Sequence, residues 1–147
     1  MADDRWTPLM VEERLVEAAD VLSHLPEPRV QGFFSTWPPV VHEFWEAFGW
    51  HDAKLLRPWP LPAAIDRMDV TMTWLAWLEP TEAKIVWLRA SGERWKAICW
   101  KVGLARTAAH QRWMYALCVI AWRLNGRRLP RNVSKRRMIE KTLAASP

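Results

Sequence analysis

The chain has 147 residues, half of them apolar, and a formal net charge of +5, which predicts one compact globular unit with a tail and excludes a disordered chain. It contains no long apolar run and no basic, then apolar, leader, so we expect neither a membrane span nor a secretion signal and predict a cytoplasmic protein. The two cysteines, Cys99 and Cys118, lie in apolar helical patterns without His or Cys partners at metal-ligand spacing. This pattern favours buried free thiols over a metal site or a disulfide.

Charge is distributed unevenly along the chain. Residues 1–80 carry 6 Lys or Arg against 13 Asp or Glu, residues 81–126 carry 8 against 2, and residues 127–147 carry 7 against 1. The net charges of the three segments are therefore −7, +6 and +6. A C-terminal half that binds a polyanion needs this polarity, because each phosphate neutralised by Lys or Arg releases a counterion.

Residues 1–78 form an acidic part that is rich in Trp and Pro, and their pattern predicts helices. Thr7 caps a helix that has Pro8 at its first position and apolar residues at spacings of three and four, and it ends near Leu25. Further helices are predicted from Pro39 to Phe48 and from Pro62 to Leu78. The last of these is predicted to bury one apolar stripe, which consists of Ile65, Met68, Met72, Leu75 and Leu78.

Residues 79–126 have the spacing of a helix-turn-helix. A helix from Pro80 to Gly92 is followed by a short helix from Glu93 to Trp100, a tight turn at Gly103 and a long helix from Ala105 to Asn125 that Gly126 ends. Two short helices cross steeply when a glycine makes the turn and apolar residues flank it. The predicted inner face consists of Ile98, Val102, Leu104 and Ala109.

Residues 127–147 read as a basic tail with a short helix from Ser134 to Leu143. Such an arm lies along a DNA backbone or enters a minor groove in some proteins. The alternative is a disordered solubilising or partner-binding end. The whole chain is thus predicted to be all-α, a helical bundle with a C-terminal helix-turn-helix and a basic tail.

Residues 79–125 resemble the promoter-reading domain of sigma factors and the related effector domains of response regulators. The likeness lies in a supporting helix that ends in Gly92, the two-helix motif around Gly103 and a long apolar continuation. The chain as a whole resembles a family of alphaproteobacterial and phage proteins in the Glu-Glu-Arg-Leu-Val-Glu-Ala-Ala-Asp segment, in residues 33–38 and in the Trp-rich motif. The first resemblance implies that the helix beginning near Ala105 places its first two turns in the major groove of DNA.

That resemblance also implies which side chains contact DNA. Arg and Gln make paired hydrogen bonds to the edges of guanine and adenine, whereas Lys and Arg beside the groove bind phosphate without reading sequence. The expected base-reading residues are Arg106, Thr107, His110 and Gln111. The expected phosphate-binding residues are Arg94, Lys96, Lys101, Arg112, Arg127, Arg128, Arg131, Lys135, Arg136 and Arg137.

The predicted function is sequence-specific binding of double-stranded DNA by a transcriptional regulator, with self-association into a homo-oligomer as an open question. Two alternatives use the same fold. One is a phage DNA-packaging protein, like a small terminase subunit, or a replication accessory protein. The other is an adaptor that binds RNA polymerase or a phage protein without reading DNA.

An enzyme is not expected, and neither is a cofactor. The sequence shows no Ser-His-Asp or Cys-His arrangement and no glycine-rich phosphate loop among its five glycines. Most of the twelve tryptophans fall beside apolar helical stripes and are expected to pack in the core. Trp95 and Trp100 lie on a short helix that cannot bury every face, so one of them is a candidate for contact with sugar and phosphate. The four histidines are scattered along the chain, at His24, His42, His51 and His110.

Overall fold

The structure is a computed structural model that describes residues 5–25 and 58–146. Within these two ranges every regular element is helical, which confirms the predicted all-α class. The predicted helix from Pro39 to Phe48 lies outside the described residues. In the part of the chain described, no helix combines the length and the apolar character needed to cross a lipid bilayer. The elements are α1 (Pro8–His24), α2 (Pro62–Trp74), a 3-10 turn (Leu75–Trp77), α3 (Pro80–Ala90), α4 (Trp95–Val102), α5 (Arg106–Leu124) and α6 (Lys135–Ala144).

Local chemistry sets most helix boundaries. The Thr7 hydroxyl accepts a hydrogen bond from the backbone N–H of Met10, and the Ser134 hydroxyl accepts one from Arg137, each at 3.3 Å. These caps satisfy N–H groups that have no partner inside the helix. At the other ends, Gly103 follows α4 with φ +69° and Gly126 follows α5 with φ +72°, a left-handed conformation that glycine adopts without steric cost.

α5 is the central helix of the bundle. α1, α3, α4 and α6 all pack against it, and α2 packs on α1. The main core joins side chains from five helices, so the predicted N-terminal part and the predicted helix-turn-helix segment share one hydrophobic interior. The fully or almost fully buried members are Val11, Leu15, Trp74, Ile85, Val86, Ile98, Ala116, Leu117, Ile120 and Ala121.

α2 differs from its prediction in both length and buried face. The α-helix ends at Trp74 and continues as a 3-10 turn, four residues before the predicted end at Leu78. It buries Met68, Thr71 and Trp74, whereas Met72 is 36% exposed. Thr71 tolerates burial because its hydroxyl donates to the carbonyl of Arg67 at 2.8 Å, which leaves no polar group unsatisfied. Of the predicted stripe, Ile65, Met68, Leu75 and Leu78 pack against the hydrophobic clusters, and Met72 is the member that does not.

The segment predicted as a basic tail contains a packed helix. α6 lies on α5 and buries Met138 and Thr142. At its first residue, the Lys135 ammonium contacts the carboxylate of Glu82 at 2.7 Å, and Glu82 is 2% exposed. The predicted helix from Ser134 to Leu143 is thus confirmed within one residue at each end, and it is packed as a part of the bundle.

Candidate nucleic-acid interface

The connection between α4 and α5 is three residues long. The N–H groups of Gly103 and Leu104 both donate to the carbonyl of Cys99, at 2.9 and 3.2 Å, and so close the end of α4. Ile98 of α4 and Ala109 of α5 are both 0% exposed. Because an alanine there lets the two helices approach closely, the first two turns of α5 are held against α4 on one side only.

The four residues predicted to read bases share the outer side of these turns. Positions i, i+1, i+4 and i+5 fall on one face of a helix. Arg106, Thr107, His110 and Gln111 occupy these positions and are all exposed, whereas Ala109 on the opposite side is buried. The structure therefore brings the whole set together on one solvent-facing surface.

The ring of His110 takes part in an aromatic cluster, the Trp95 cluster. His110 lies 5.3 Å from the ring of Trp95 and 5.4 Å from that of Trp113, and the two indoles meet edge to face at 5.6 Å. The guanidinium of Arg89 stands over Trp95 at 5.2 Å and donates to the carbonyl of Glu93 at 3.1 Å. The imidazole thus packs against two indoles and is still exposed to solvent.

Sequence reasoning missed the Trp95 cluster. The spacing of three between His110 and Trp113 predicts that these two rings are neighbours on α5. Trp95 joins them only because α4 folds back on α5, and no local pattern contains that information.

The predicted phosphate-binding residues on α4 and α5 have three different environments. Arg94 and Lys96 are exposed, whereas Arg112 is half-buried. Lys101 is exposed, but its ammonium contacts the carboxylate of Glu93. Arg94 and Lys96 are therefore free of this internal pairing, and the charge of Lys101 is largely balanced within the protein.

The basic residues after α5 also separate into exposed and engaged groups. Arg128, Arg131, Arg136 and Arg137 are exposed, with Arg136 in a solvent-facing pair with Glu140 at 3.3 Å. These side chains are available to an anion on the outer surface of the protein.

Arg127 and Lys135 are held by the protein itself. The guanidinium of Arg127 lies 5.0 Å from the ring of Trp122. The ammonium of Lys135 contacts Glu82 and stands 5.2 Å over the ring of Tyr115. Burial, followed by the negative charge of Glu82, raises the pKa of Tyr115 above its usual value. The Lys135 ammonium is thus engaged within the protein, and its contact with phosphate stays a prediction.

The remaining candidates for chemistry are few. Cys99 and Cys118 are both free thiols, and burial raises the pKa of Cys118 to about 11, although a hydrogen bond with Thr142 acts in the opposite direction. Among the residues that the structure describes, no group of three His, Cys, Asp or Glu side chains is placed to hold a metal ion.

The tryptophans follow the predicted division in part. Trp74 and Trp113 are buried. Three others predicted to lie in the core are half-buried, namely Trp77, Trp87 and Trp122. Of the two that the sequence left unsettled, Trp95 is half-buried in the cluster described above, whereas Trp100 is 87% exposed.

Comparison with known proteins gives one match. No curated protein and no solved structure matches the chain. The profile of a family described as a domain of unknown function, DUF6362, matches residues 23–120, which is well over half of the chain. This span runs from the end of α1 through the exposed turns of α5 and stops before α6. The chain therefore belongs to the DUF6362 family.

Proposed function

We propose that this protein binds double-stranded DNA in a sequence-specific manner as a transcriptional regulator, with α4 and α5 acting as a helix-turn-helix. The observation that carries the proposal is the exposed face of α5, where Arg106, Thr107, His110 and Gln111 stand side by side. The first turns of a helix that project from a globular body fit the major groove, where base edges are accessible.

The polar chemistry of this face matches base edges. The guanidinium of Arg106 offers two parallel donors to the O6 and N7 atoms of guanine. The amide of Gln111 both donates and accepts, as the N6 and N7 atoms of adenine require. Both side chains are exposed, and within residues 5–25 and 58–146 no hydrogen bond or ion pair occupies them.

The charge around this face matches the DNA backbone. Residues 81–126 contain only two acidic side chains, Glu82 and Glu93, and each is paired with a lysine of the protein. Arg94 and Lys96 remain exposed at the start of α4. A surface with exposed cations and neutralised acids attracts phosphates and releases counterions on binding.

The experiment that tests the proposal begins with selection of preferred duplexes from a randomised DNA library by the purified full-length chain. The selected duplex and a scrambled duplex are then labelled, and binding is followed by fluorescence anisotropy at several salt concentrations. We expect tighter binding to the selected duplex and a steep loss of affinity with salt. Failure of every duplex to bind in a salt-dependent way would contradict the proposal.

Variants on α5 identify the residues that read the sequence. Arg106→Ala and Gln111→Ala are each expected to weaken binding to the selected duplex by about 1–3 kcal/mol and to relax specificity at one base pair. Lys96→Ala is expected to weaken binding to all duplexes alike and to reduce the salt slope by about 1. The matched control is Arg123→Ala, an exposed arginine at the other end of the same helix whose guanidinium lies over the ring of Trp77.

The same samples separate the alternatives. A ring of many copies in light scattering, together with weak sequence preference, would favour the packaging role. Binding that is unchanged in both α5 variants would exclude base reading by this face and favour an adaptor that contacts a protein.

A further inference from the structure

The side chain of Trp100 has no structural role that the fold reveals. It lies in the second turn of α4 and is 87% exposed, more than any other large apolar side chain that the structure describes. The other tryptophan of this helix, Trp95, is held by Arg89, His110 and Trp113. Across the described ranges, no ring contact, hydrogen bond or ion pair involves the indole of Trp100. Both of its faces are open to a ligand.

The surroundings of Trp100 are cationic. Lys96 lies one turn earlier on the same face of α4, about 6 Å away by helix geometry, and Lys101 is the next residue. Arg106 follows at the start of α5. The acidic side chain of this region, Glu93, already contacts Lys101. An open indole beside cations complements a ligand that repeats a flat ring and a negative charge, which is the chemistry of a nucleic acid strand.

We infer that Trp100 is a stacking site for an unpaired base, with Lys96 beside it for the adjoining phosphate. This inference rests on the proposed function and adds the kind of DNA that is bound, a duplex that carries a single-stranded extension. In a duplex the faces of the bases cover one another, and only their edges and the sugar-phosphate backbone are accessible. An indole can bury a whole face only against a base that has left the stack.

The two helices expose different kinds of side chain. The outer face of α5 carries hydrogen-bonding groups suited to base edges, and α4 carries the open ring of Trp100 three residues before the turn at Gly103. Because only three residues, 103–105, connect the two helices, we infer that one duplex end with an overhang occupies both surfaces.

The test compares three labelled probes in anisotropy titrations: a blunt duplex, the same duplex with a short single-stranded overhang, and the overhang strand alone. Labelled DNA is required, because twelve tryptophans make intrinsic fluorescence uninformative. For the unaltered chain we expect the overhang to increase affinity by about fivefold or more, as stacking of one base does. Trp100→Ala should remove this increase and leave binding of the blunt duplex within about twofold. Trp100→Phe should keep a part of the increase in affinity that the overhang causes.

The matched control is Trp59→Ala. Trp59 is 73% exposed but precedes α2 in the acidic part of the chain, so its removal should change none of the three affinities. Circular dichroism and thermal unfolding should be the same for all variants, because neither indole is buried.

Three outcomes would overturn the inference: an overhang that adds no affinity, an increase that persists in Trp100→Ala, or an equal loss for the blunt and extended duplexes. The last would assign Trp100 to a sugar-phosphate contact. If the unaltered chain does not bind the blunt duplex, the proposed function is refuted, and with it this inference.

Discussion

The two halves of α5 are one continuous helix in opposite environments. In residues 106–112 the side chains of Arg106, Thr107, His110 and Gln111 reach solvent. In the second half, Trp113 and the unbroken run 116–121 are buried. α1, α3, α4 and α6 all pack against α5, and Trp95 of α4 contacts it at His110 and Trp113.

This comparison shows how the fold presents a polar surface on a rigid support. Six consecutive buried residues mean that the helix is enclosed on all sides at 116–121, so its axis is fixed by packing there. Residues 106–112 continue the same helix axis, so they can expose their outer face and remain helical. Functional side chains are positioned most accurately when the element that carries them is anchored elsewhere.

The largest expected effect comes from breaking the buried half. Leu117 is 2% exposed and belongs to the main core, so Leu117→Ala should lower the free energy of unfolding by about 2–5 kcal/mol. The matched change in the exposed half, Gln111→Ala, should alter it by less than about 0.5 kcal/mol. Urea titrations followed by circular dichroism measure both. Similar losses for the two variants would mean that the halves do not differ as described.

The reactivity of the Cys118 thiol measures the burial of this part of α5 without a substitution in its core. Burial raises its pKa to about 11, so at mildly alkaline pH the thiolate fraction is about a hundredfold smaller than for an ordinary cysteine with a pKa of about 8.5. Timed maleimide labelling, read by peptide mass spectrometry in a Cys99→Ser background, should therefore be at least about a hundredfold slower in the folded chain than in urea. Equal rates in the two states would contradict the enclosure of this half.

Substitution of Lys135 tests whether α6 stabilises the helices packed around α5. Lys135→Met leaves the carboxylate of Glu82 buried without its cation, which should cost about 2 kcal/mol of unfolding free energy. The cost is smaller than for a fully enclosed pair because the Lys135 side chain is 36% exposed. Adding Glu82→Gln should restore most of the loss, since a neutral amide needs no counterion. A double variant no more stable than the single one would refute this account of the pair.

The smallest effect is expected far from α5, at the ion pair between α1 and α2. Two nitrogens of the Arg67 guanidinium donate to Glu17 at 2.7 and 2.9 Å, and this hydrogen bond lowers the pKa of Glu17 below its usual value of 4.5. The stabilisation is therefore present above pH 4.5 and is lost as the pH falls through the lower folded-state pKa.

Arg67→Gln measures this pair, which is solvent-facing on both sides. It should cost less than about 1 kcal/mol at neutral pH and nothing in strong acid. Arg14→Gln, which removes a longer contact of 3.3 Å with the same carboxylate, is the control and should cost less. A loss that persists in strong acid would exclude the carboxylate as its source.

Much of the helical architecture was predictable because its signals are local. Thr7 and Ser134 are caps, Pro8, Pro62 and Pro80 stand at helix starts, and glycine at 103 and 126 takes a left-handed conformation that ends a helix. The four exposed residues of α5 follow from the same kind of rule, because spacing alone places them on one face.

The contacts that define the surroundings of the site were not predictable. Glu93 and Lys101 are eight residues apart and Glu82 and Lys135 are 53 apart, and a single sequence contains no pattern that pairs them. The sequence lists the cations of this region, but it does not show that Lys101 and Lys135 are paired with carboxylates. The predicted end of α2 was wrong for a similar reason, because the burial of Trp74 depends on tertiary packing.

The ion pair that links α3 to α6 also defines what can fold independently. The DUF6362 match ends at residue 120, within α5, whereas the cation that neutralises Glu82 arrives with α6. A polypeptide cut at the limit of the matched span would retain the exposed face of α5 but lose the helix that covers Cys118 and compensates a buried carboxylate. We therefore expect a fragment that keeps α6 to be more stable than one cut at residue 120.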